Sequence, residues 1–237
     1  MSWVPPITLE KSDTELGFEL EFVIAHLMLR KKNLFFVQIG ANDGMTVDPL
    51  YRFVNEFGWS GILVEPVPDA FERLKANYRN RTGLKFINAA VSERDGTRTL
   101  YTAGDSKSAS VYSSFDKELV KKQTRWVPDV VDRIQEIQVR CISMRTLVDE
   151  VEGNEIDILL VDAEGYDFEI LKMIDFSKMK PTIICYEHTN LDKTQMQAAA
   201  TLLASQGYRM TRDNLDTIAY RPDFSYGWRE WREAAKR

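Results

Sequence analysis

A glycine-containing turn after an apolar, β-forming run is the first feature whose residue types indicate binding chemistry. The turn includes Gln38, Gly40, Ala41, Asn42 and Gly44. Glycine adopts backbone conformations that other residues resist, and it leaves no side chain between the backbone and a ligand. The dinucleotide pattern G-x-G-x-x-G requires a glycine where this chain has Asn42, so the turn suits a ligand without a pyrophosphate. The alternative is an ordinary turn with two glycines.

The next two apolar runs also end in residues that suit a nucleoside. Glu65, followed by Pro66, comes about 20 residues after the glycine turn, where a carboxylate can accept hydrogen bonds from both ribose hydroxyls. Asn88 and Ala89 end the following run, where small side chains leave room for an adenine ring and Asn88 can bond its edge. The alternatives are a solvated loop carboxylate and an ordinary buried alanine.

Three acids and a histidine follow two later apolar runs. Asp162 and Glu164 come after the first run, and Glu187 and His188 end the second. A carboxylate near a reacting centre can favour a sulfonium or orient an acceptor. His188 is the candidate general base because the pKa of an imidazole lies near neutrality, and Glu187 or Glu164 would orient it. A helix-capping acid and a structural histidine are the alternatives.

The same four side chains can also gather around a divalent cation. Their positions have no compact ligand spacing, so we expect a site without metal. Methylation of a carboxylate acceptor would need no base, and the histidine would then be dispensable.

Positioning these residues at one edge requires parallel strands joined by helical crossovers. Apolar β-forming runs alternate with amphipathic segments, which predicts a doubly wound α/β fold. The predicted strands are 34–39, 61–64, 84–91, 138–142, 156–161 and 182–186, and an antiparallel hairpin of 207–211 and 217–220 closes the sheet. Ligands bind at the carboxyl ends of the strands in such folds.

The chain has the length of one large α/β domain, since two full domains in 237 residues would each be small. An amphipathic helix is predicted over 13–31. The long irregular segment at about 102–134 is interpreted as a substrate-covering insertion, with a surface excursion as the alternative. The tail 224–237 is either a packed terminal helix or a partner surface.

Composition narrows the class of partner and the compartment. A net charge of −5 argues against nucleic acid as the main partner, and no apolar run reaches the roughly 18 residues of a membrane span. No signal peptide is visible. Cys141 and Cys185 lie in strand-like runs, which predicts reduced, buried thiols and a cytoplasmic protein.

Four segments of the chain, taken together, resemble the FkbM family of methyltransferases. The segments are Val37–Gly44, Val64–Pro68, Asp162–Tyr166 and Asp216–Ala219. The resemblance runs in order over 34–221, nearly the whole chain. It implies a seven-stranded class I methyltransferase fold, S-adenosylmethionine as the donor, and methylation of oxygen, often a hydroxyl on a sugar, glycan or natural product.

The resemblance also implies roles for particular positions. The residues that it places around the donor are Gly40, Ala41, Asn42, Gly44 and Glu65, with Asp162 near the methyl group. Gln38 replaces an acid that is frequent at this place in the fold. The contact to the amino group of the donor must therefore come from the amide oxygen of Gln38 or from another residue. The acceptor does not carry over, because acceptors vary widely in the family.

The same sequence features also fit other functions. They are a carboxyl O-methyltransferase, a nicotinamide-dependent oxidoreductase, and a non-catalytic module that binds a nucleotide or a partner. The missing middle glycine disfavours the oxidoreductase. Nucleic-acid methylation would depend on Lys107, Lys121, Lys122 and Arg125, which in an acidic chain more simply form a solvated face. We therefore expect a small-molecule or glycan acceptor.

Overall fold

The computed structural model describes residues 19–104, 112–123 and 133–222. The helices are α1 (Glu19–Met28), α2 (Tyr51–Phe57), α3 (Pro68–Asn77), α4 (Lys117–Gln123), α5 (Met144–Asp149), α6 (Asp167–Lys172) and α7 (Lys193–Ser205). The strands are β1 (Phe35–Ile39), β2 (Ser60–Val64), β3 (Leu84–Ile87), β4 (Ala90–Ser92), β5 (Gly96–Thr102), β6 (Ser113–Ser114), β7 (Gln135–Ser143), β8 (Ile158–Val161), β9 (Ile183–Glu187), β10 (Arg209–Arg212) and β11 (Asp216–Tyr220).

Seven of these strands form the main sheet, in the order β10-β11-β9-β8-β1-β2-β3. The five strands from β9 to β3 in this order are parallel, whereas β11 is antiparallel to both β9 and β10. Ile39 at the end of β1 is in register with Val64 and Val161, so the three central strands end together. The predicted fold class, a doubly wound, mostly parallel seven-stranded sheet with a C-terminal antiparallel hairpin, is confirmed.

The sheet is covered on both faces because alternate residues of its strands enter two separate hydrophobic cores. Val37 and Ile39 face the core beneath α5, α6 and α7, while Phe36 faces the core beneath α1, α2 and α3. Strands buried on both faces read as continuous apolar runs, which is why they were visible in the sequence.

A second, four-stranded sheet of order β4-β7-β5-β6 lies beside the main one, and the sequence did not predict it. The predicted strand 138–142 belongs to this sheet, as part of β7, and not to the main one. The predicted strand 84–91 is two strands, because the chain leaves the main sheet after Ile87 and Ala90 begins a pairing with Cys141 in β7. An apolar run indicates burial but not the sheet that its backbone joins, so this division was not readable from the residues.

The less regular parts of the chain are described in part. Within the predicted insertion 102–134 the structure has the short strand β6 and the helix α4. Of the predicted helix 13–31, residues 19–28 form α1, and residues 13–18 lie outside the described residues, as does the tail 224–237. Within the described ranges, no helix is long and apolar enough to cross a membrane. Cys141 and Cys185 are buried free thiols.

Candidate functional site

A cavity of about 330 Å³ opens at the carboxyl edge of the main sheet. It is here called the edge cavity, and the ends of β1, β2, β8 and β9 contribute Gly40, Glu65, Asp162 and Glu187 to its lining. Its volume falls within the roughly 300–1,000 Å³ of small-molecule sites in proteins. Of the residues predicted for the site, those that line it are Gln38, Gly40, Ala41, Asn42, Glu65, Pro66, Ala89, Asp162, Glu164 and Glu187.

Gly40 is required by the packing of the backbone at the edge of the sheet. It has a φ of 80°, and a Cβ at this position would lie 1.7 Å from the carbonyl oxygen of Asp162. The neighbouring backbone is fixed because the Asp162 amide donates to the carbonyl of Ile39 at 2.9 Å. The absence of a side chain therefore serves the close approach of two strand ends, and not only the approach of a ligand.

Gly44 does not line the edge cavity. A Cβ there would lie 2.3 Å from Cδ1 of Leu74 and 2.6 Å from the ring of Tyr78, so the glycine lets the end of the turn pack against α3 and the residue that follows it. Its predicted contact with the donor is therefore not supported by its position, although its φ of 65° fits the predicted turn.

Glu65 ties together the two loops that flank the edge cavity. Its carboxylate is buried and accepts hydrogen bonds from the backbone amides of Asn42 and Val67, each at 2.8 Å. A carboxylate can accept about four hydrogen bonds over its two oxygens, so contacts to the backbone and to a ligand are compatible. Glu65 can thus hold the loops and still bind hydroxyls of a ligand.

The side chain of Asn88 bonds the loop that follows β2 and does not line the edge cavity. Its amide donates to the carbonyl oxygens of Glu65 at 2.8 Å and Pro66 at 3.3 Å. The predicted contact between Asn88 and the edge of an adenine has no counterpart in this arrangement. Ala89 and Pro66 do line the cavity, together with Ala90 and Val91, which gives this part of the wall small apolar side chains.

Gln38 and Asp48 form a buried pair that the sequence reasoning identified only in part. Nε2 of Gln38 donates to Asp48 at 2.9 Å, and the other oxygen of Asp48 accepts from the backbone amides of Leu50 and Tyr51 ahead of α2. Oε1 of Gln38 is buried and has no partner among the described residues. Asp48 was missed, although an Asp-Pro step before a helix is a capping signal.

The unpartnered amide oxygen of Gln38 at the cavity wall indicates the chemistry of a ligand. A buried oxygen without a hydrogen-bond donor costs free energy, so Oε1 of Gln38 favours a ligand that brings an N–H or ammonium group. Burial also raises the pKa of Asp48, which lines the same part of the cavity.

The opposite side of the edge cavity is acidic. Desolvation by burial, reinforced by neighbouring negative charges that include Glu187, raises the pKa of Asp162 to about 8, of Glu164 to about 10 and of Asp216 to about 7. Asp162 is open to water through the cavity, while protein surrounds the cavity on most sides. These groups retain protons near neutral pH, and a cation placed among them would favour their ionisation.

Asp216 is the second acid that the sequence reasoning did not assign. It begins β11 and is in register with Glu187 of the antiparallel neighbour β9, which brings it to the cavity. It was visible only as the first residue of the last segment that resembles the FkbM family.

Glu164 joins the site to the insertion. Its carboxylate accepts hydrogen bonds from the side-chain amides of Gln123 in α4 and Asn190, the latter at 3.1 Å. Its carbonyl accepts from the Ser114 hydroxyl at 2.9 Å. Nδ2 of Asn190 also donates to Glu187 at 2.7 Å, so one amide group holds both carboxylates. The helix and strand of the insertion therefore lie against the acids of the site.

His188 is buried away from the edge cavity. Its Nδ1 lies 3.2 Å from the hydroxyl oxygen of Thr217, and its backbone amide donates to the carbonyl of Leu215. Desolvation by burial lowers the pKa of the imidazole. The structure does not bring the ring into the lining of the cavity, so its role as general base stays a prediction without a supporting contact.

An aromatic wall closes the edge cavity beside the second sheet. The rings of Phe115 and Tyr166 meet edge to face with centroids 5.2 Å apart, and both line the cavity. The Arg98 guanidinium lies 3.9 Å from the Phe115 centroid and donates to the Tyr166 hydroxyl at 3.0 Å. Sequence reasoning assigned none of the three, because they come from separate parts of the chain.

A second, more open cavity of about 760 Å³ adjoins the first. It is here called the side cavity, and it lies between α4 and the segment from β9 to α7. Its lining is Tyr112, Leu119, Lys122, Gln123, Glu164, Glu187, Thr189, Asn190, Leu191 and Asp192. Glu164 and Glu187 line both cavities, so they stand at the boundary between them.

Comparison with solved structures finds similarity to methyltransferases. An FkbM methyltransferase from Methylobacillus flagellatus is 12% identical with a TM-score of 0.50, and the match covers 80% of this chain and 44% of that chain. A precorrin-6y methyltransferase from Geobacter metallireducens is 10% identical with a TM-score of 0.44, covering 90% and 94% of the two chains. At these identities the first similarity shows the fold alone, and this chain spans less than half the length of that structure.

Comparison with protein sequences gives the family. No curated protein matches the chain. The family model described as the methyltransferase FkbM domain matches residues 38–210, which is more than half of the chain. The matched range contains the turn after β1, Glu65, the acids that follow β8, and Glu187 at the end of β9. This protein therefore belongs to the FkbM family of methyltransferases.

Proposed function

We propose that this protein transfers a methyl group from S-adenosylmethionine to a hydroxyl of a sugar, glycan or natural product. The observation that carries the proposal is the edge cavity, which combines a buried carboxylate, an acceptor without a partner among the described residues, and an acidic side at the ends of the central strands. The resemblance to the FkbM family supports a hydroxyl acceptor.

The residues of the edge cavity fit the parts of this donor. Small apolar side chains near Ala89 suit an adenine, and the carboxylate of Glu65, which lines the cavity, suits the ribose hydroxyls. The unpartnered oxygen of Gln38 can accept a hydrogen bond from the ammonium group of the methionine part. Asp162 can favour the sulfonium by its negative charge. When bound, the donor supplies a methyl group already activated for displacement.

The remaining task of the chain is to align the acceptor and take its proton. Holding the two reactants in line can supply several kcal/mol of barrier reduction. Among the predicted catalytic residues, Glu187 and Glu164 line both cavities, whereas His188 lines neither. We assign the proton-accepting role to Glu187, with Glu164 and Asn190 holding its position.

Donor binding tests the proposed function directly. Glu65→Ala is expected to weaken binding of S-adenosylmethionine and S-adenosylhomocysteine by about 10- to 100-fold, because a charge-assisted pair of hydrogen bonds is lost. Calorimetric titration at one pH would measure both dissociation constants, with thermal unfolding as a check that the loops still fold.

Glu72→Ala is the matched control, since Glu72 is an exposed acid on α3 paired with Lys75 and lies outside both cavities. It is expected to leave both dissociation constants unchanged. Absence of binding to either ligand by folded wild-type protein would contradict the methyltransferase function and favour a non-catalytic module.

The affinity for S-adenosylmethionine is expected to rise with pH, by up to about tenfold per unit, until the pH reaches about 8, the pKa of Asp162. Below that pH Asp162 is protonated, and a bound sulfonium must displace its proton. S-adenosylhomocysteine has no sulfonium charge and is expected to show a much smaller pH dependence. Titration of both ligands from pH 6 to 8.5 measures this difference, and equal slopes for the two ligands would contradict it.

A further inference from the structure

Building on the proposed function, we propose that the side cavity receives the methyl acceptor and selects an uncharged, hydroxyl-rich molecule over an anionic one. The two cavities meet at Glu164 and Glu187. The part of a molecule in the side cavity that lies nearest the edge cavity therefore contacts these two acids. No other described residue lines both cavities, which makes these two carboxylates the point of contact between acceptor and donor.

The charge of the side cavity opposes an anionic acceptor. Glu164 keeps its proton near neutral pH, so the acids that can give this lining a negative charge are Glu187 and Asp192, against the single cation Lys122, whose side chain is exposed. A phosphate or carboxylate brought beside this lining meets like charges in a partly enclosed space, where repulsion is stronger than in open water. A neutral molecule does not meet this electrostatic repulsion.

The hydrogen-bonding groups of the side cavity call for a ligand that donates. Oε1 of Gln123 is buried without a partner among the described residues, an ionised Glu187 can only accept hydrogen bonds, and Glu164 has one proton to donate beside its remaining lone pairs. The amide hydrogens of Asn190 are already directed at those two carboxylates. Hydroxyl groups of an acceptor can satisfy these oxygens, whereas a phosphate or carboxylate brings only acceptors.

Charged thiol reagents measure this selectivity without requiring a known acceptor. Thr189 lines the side cavity and is exposed, and the two native cysteines are buried, so Thr189→Cys introduces one reactive thiol. Reaction with cationic trimethylammonium-ethyl and anionic sulfonato-ethyl methanethiosulfonate gives a ratio of two rates. The reactivity of the thiol itself cancels in this ratio, leaving the electrostatic preference of the cavity.

The matched control is Thr201→Cys, which places a thiol on the exposed face of α7, away from both cavities. The cation-to-anion ratio is expected to be at least about tenfold higher at position 189 than at position 201, and Glu187→Gln in the Thr189→Cys background is expected to reduce it. Equal ratios at the two positions would overturn the proposed exclusion of anions.

Turnover then tests the acceptor class. Release of S-adenosylhomocysteine is compared for methyl glucoside, glucuronate and glucose 6-phosphate at equal concentrations. The neutral glycoside is expected to react fastest, and preference for the phosphorylated or carboxylated sugar would overturn the inference. Calorimetric titration with S-adenosylmethionine distinguishes failure of the proposed function from failure of this inference. Absence of donor binding contradicts the proposed function, whereas the ratio of thiol reaction rates reports the charge of the side cavity whether or not the donor binds.

Discussion

Glu187→Gln is expected to lower the rate of methyl transfer by about 100- to 10,000-fold, the usual contribution of a positioned general base. Glutamine has the shape of glutamate and keeps an oxygen that can accept from Asn190 or Thr189, which bond the native carboxylate. It cannot take a proton from the acceptor hydroxyl. The change should therefore appear in kcat, while the dissociation constant of S-adenosylhomocysteine stays within about twofold of the wild-type value.

His188→Gln is the comparison that separates the two candidate bases. The imidazole contacts Thr217 and lines neither cavity, so its replacement is expected to change kcat by less than about tenfold once folding has been verified by thermal unfolding. A large loss of kcat confined to His188→Gln, with activity retained by Glu187→Gln, would return the role of base to the histidine that the sequence indicated.

Gly40→Ala is expected to reduce the free energy of unfolding by at least about 3 kcal/mol, from left-handed backbone strain and an overpacked contact together. The new Cβ would lie 1.7 Å from the Asp162 carbonyl oxygen, which is backbone and cannot rotate away. Relief requires the ends of β1 and β8 to separate, and this would displace Asp162 from the edge cavity. Urea denaturation measures the loss, and calorimetry should show weakened donor binding in any folded fraction.

Gly58→Ala provides the matched control for backbone strain. Gly58 follows α2 with a φ of 67°, and a Cβ there would meet no atom within 4 Å. Its replacement incurs the left-handed backbone penalty alone, about 1–2 kcal/mol. Similar losses for the two variants would show that conformational freedom, and not the approach of β1 to β8, is the requirement at Gly40.

The sequence determined the main sheet because buried parallel strands leave a signal that tertiary structure rarely overrides. Continuous apolar runs marked β1, β8 and β9, and the residues that follow each run meet at one edge by the geometry of parallel strands. Glu65 and Asp162 could therefore be placed beside the same cavity from their positions alone. The family match over residues 38–210 contains Val64–Pro68, Asp162–Tyr166 and nearly all of Val37–Gly44, while Asp216–Ala219 lies beyond it.

Only the tertiary structure determined which side chains at that edge reach the cavity. His188 and Glu187 are neighbours in sequence, yet successive side chains around a strand end point in different directions, and only Glu187 lines the cavities. Asp48 reaches the cavity through a loop, and Asp216 through antiparallel pairing with β9.

The second sheet and the side cavity likewise depend on contacts between segments far apart in the chain. Gln123 and Asn190 meet at Glu164 across more than 25 residues in either direction, and no local periodicity encodes such a meeting. Local spacing fixes the period and burial of each element, and hence the fold class. Side-chain direction and long-range packing decide the chemistry of the site, because they depend on distances that a single sequence does not contain.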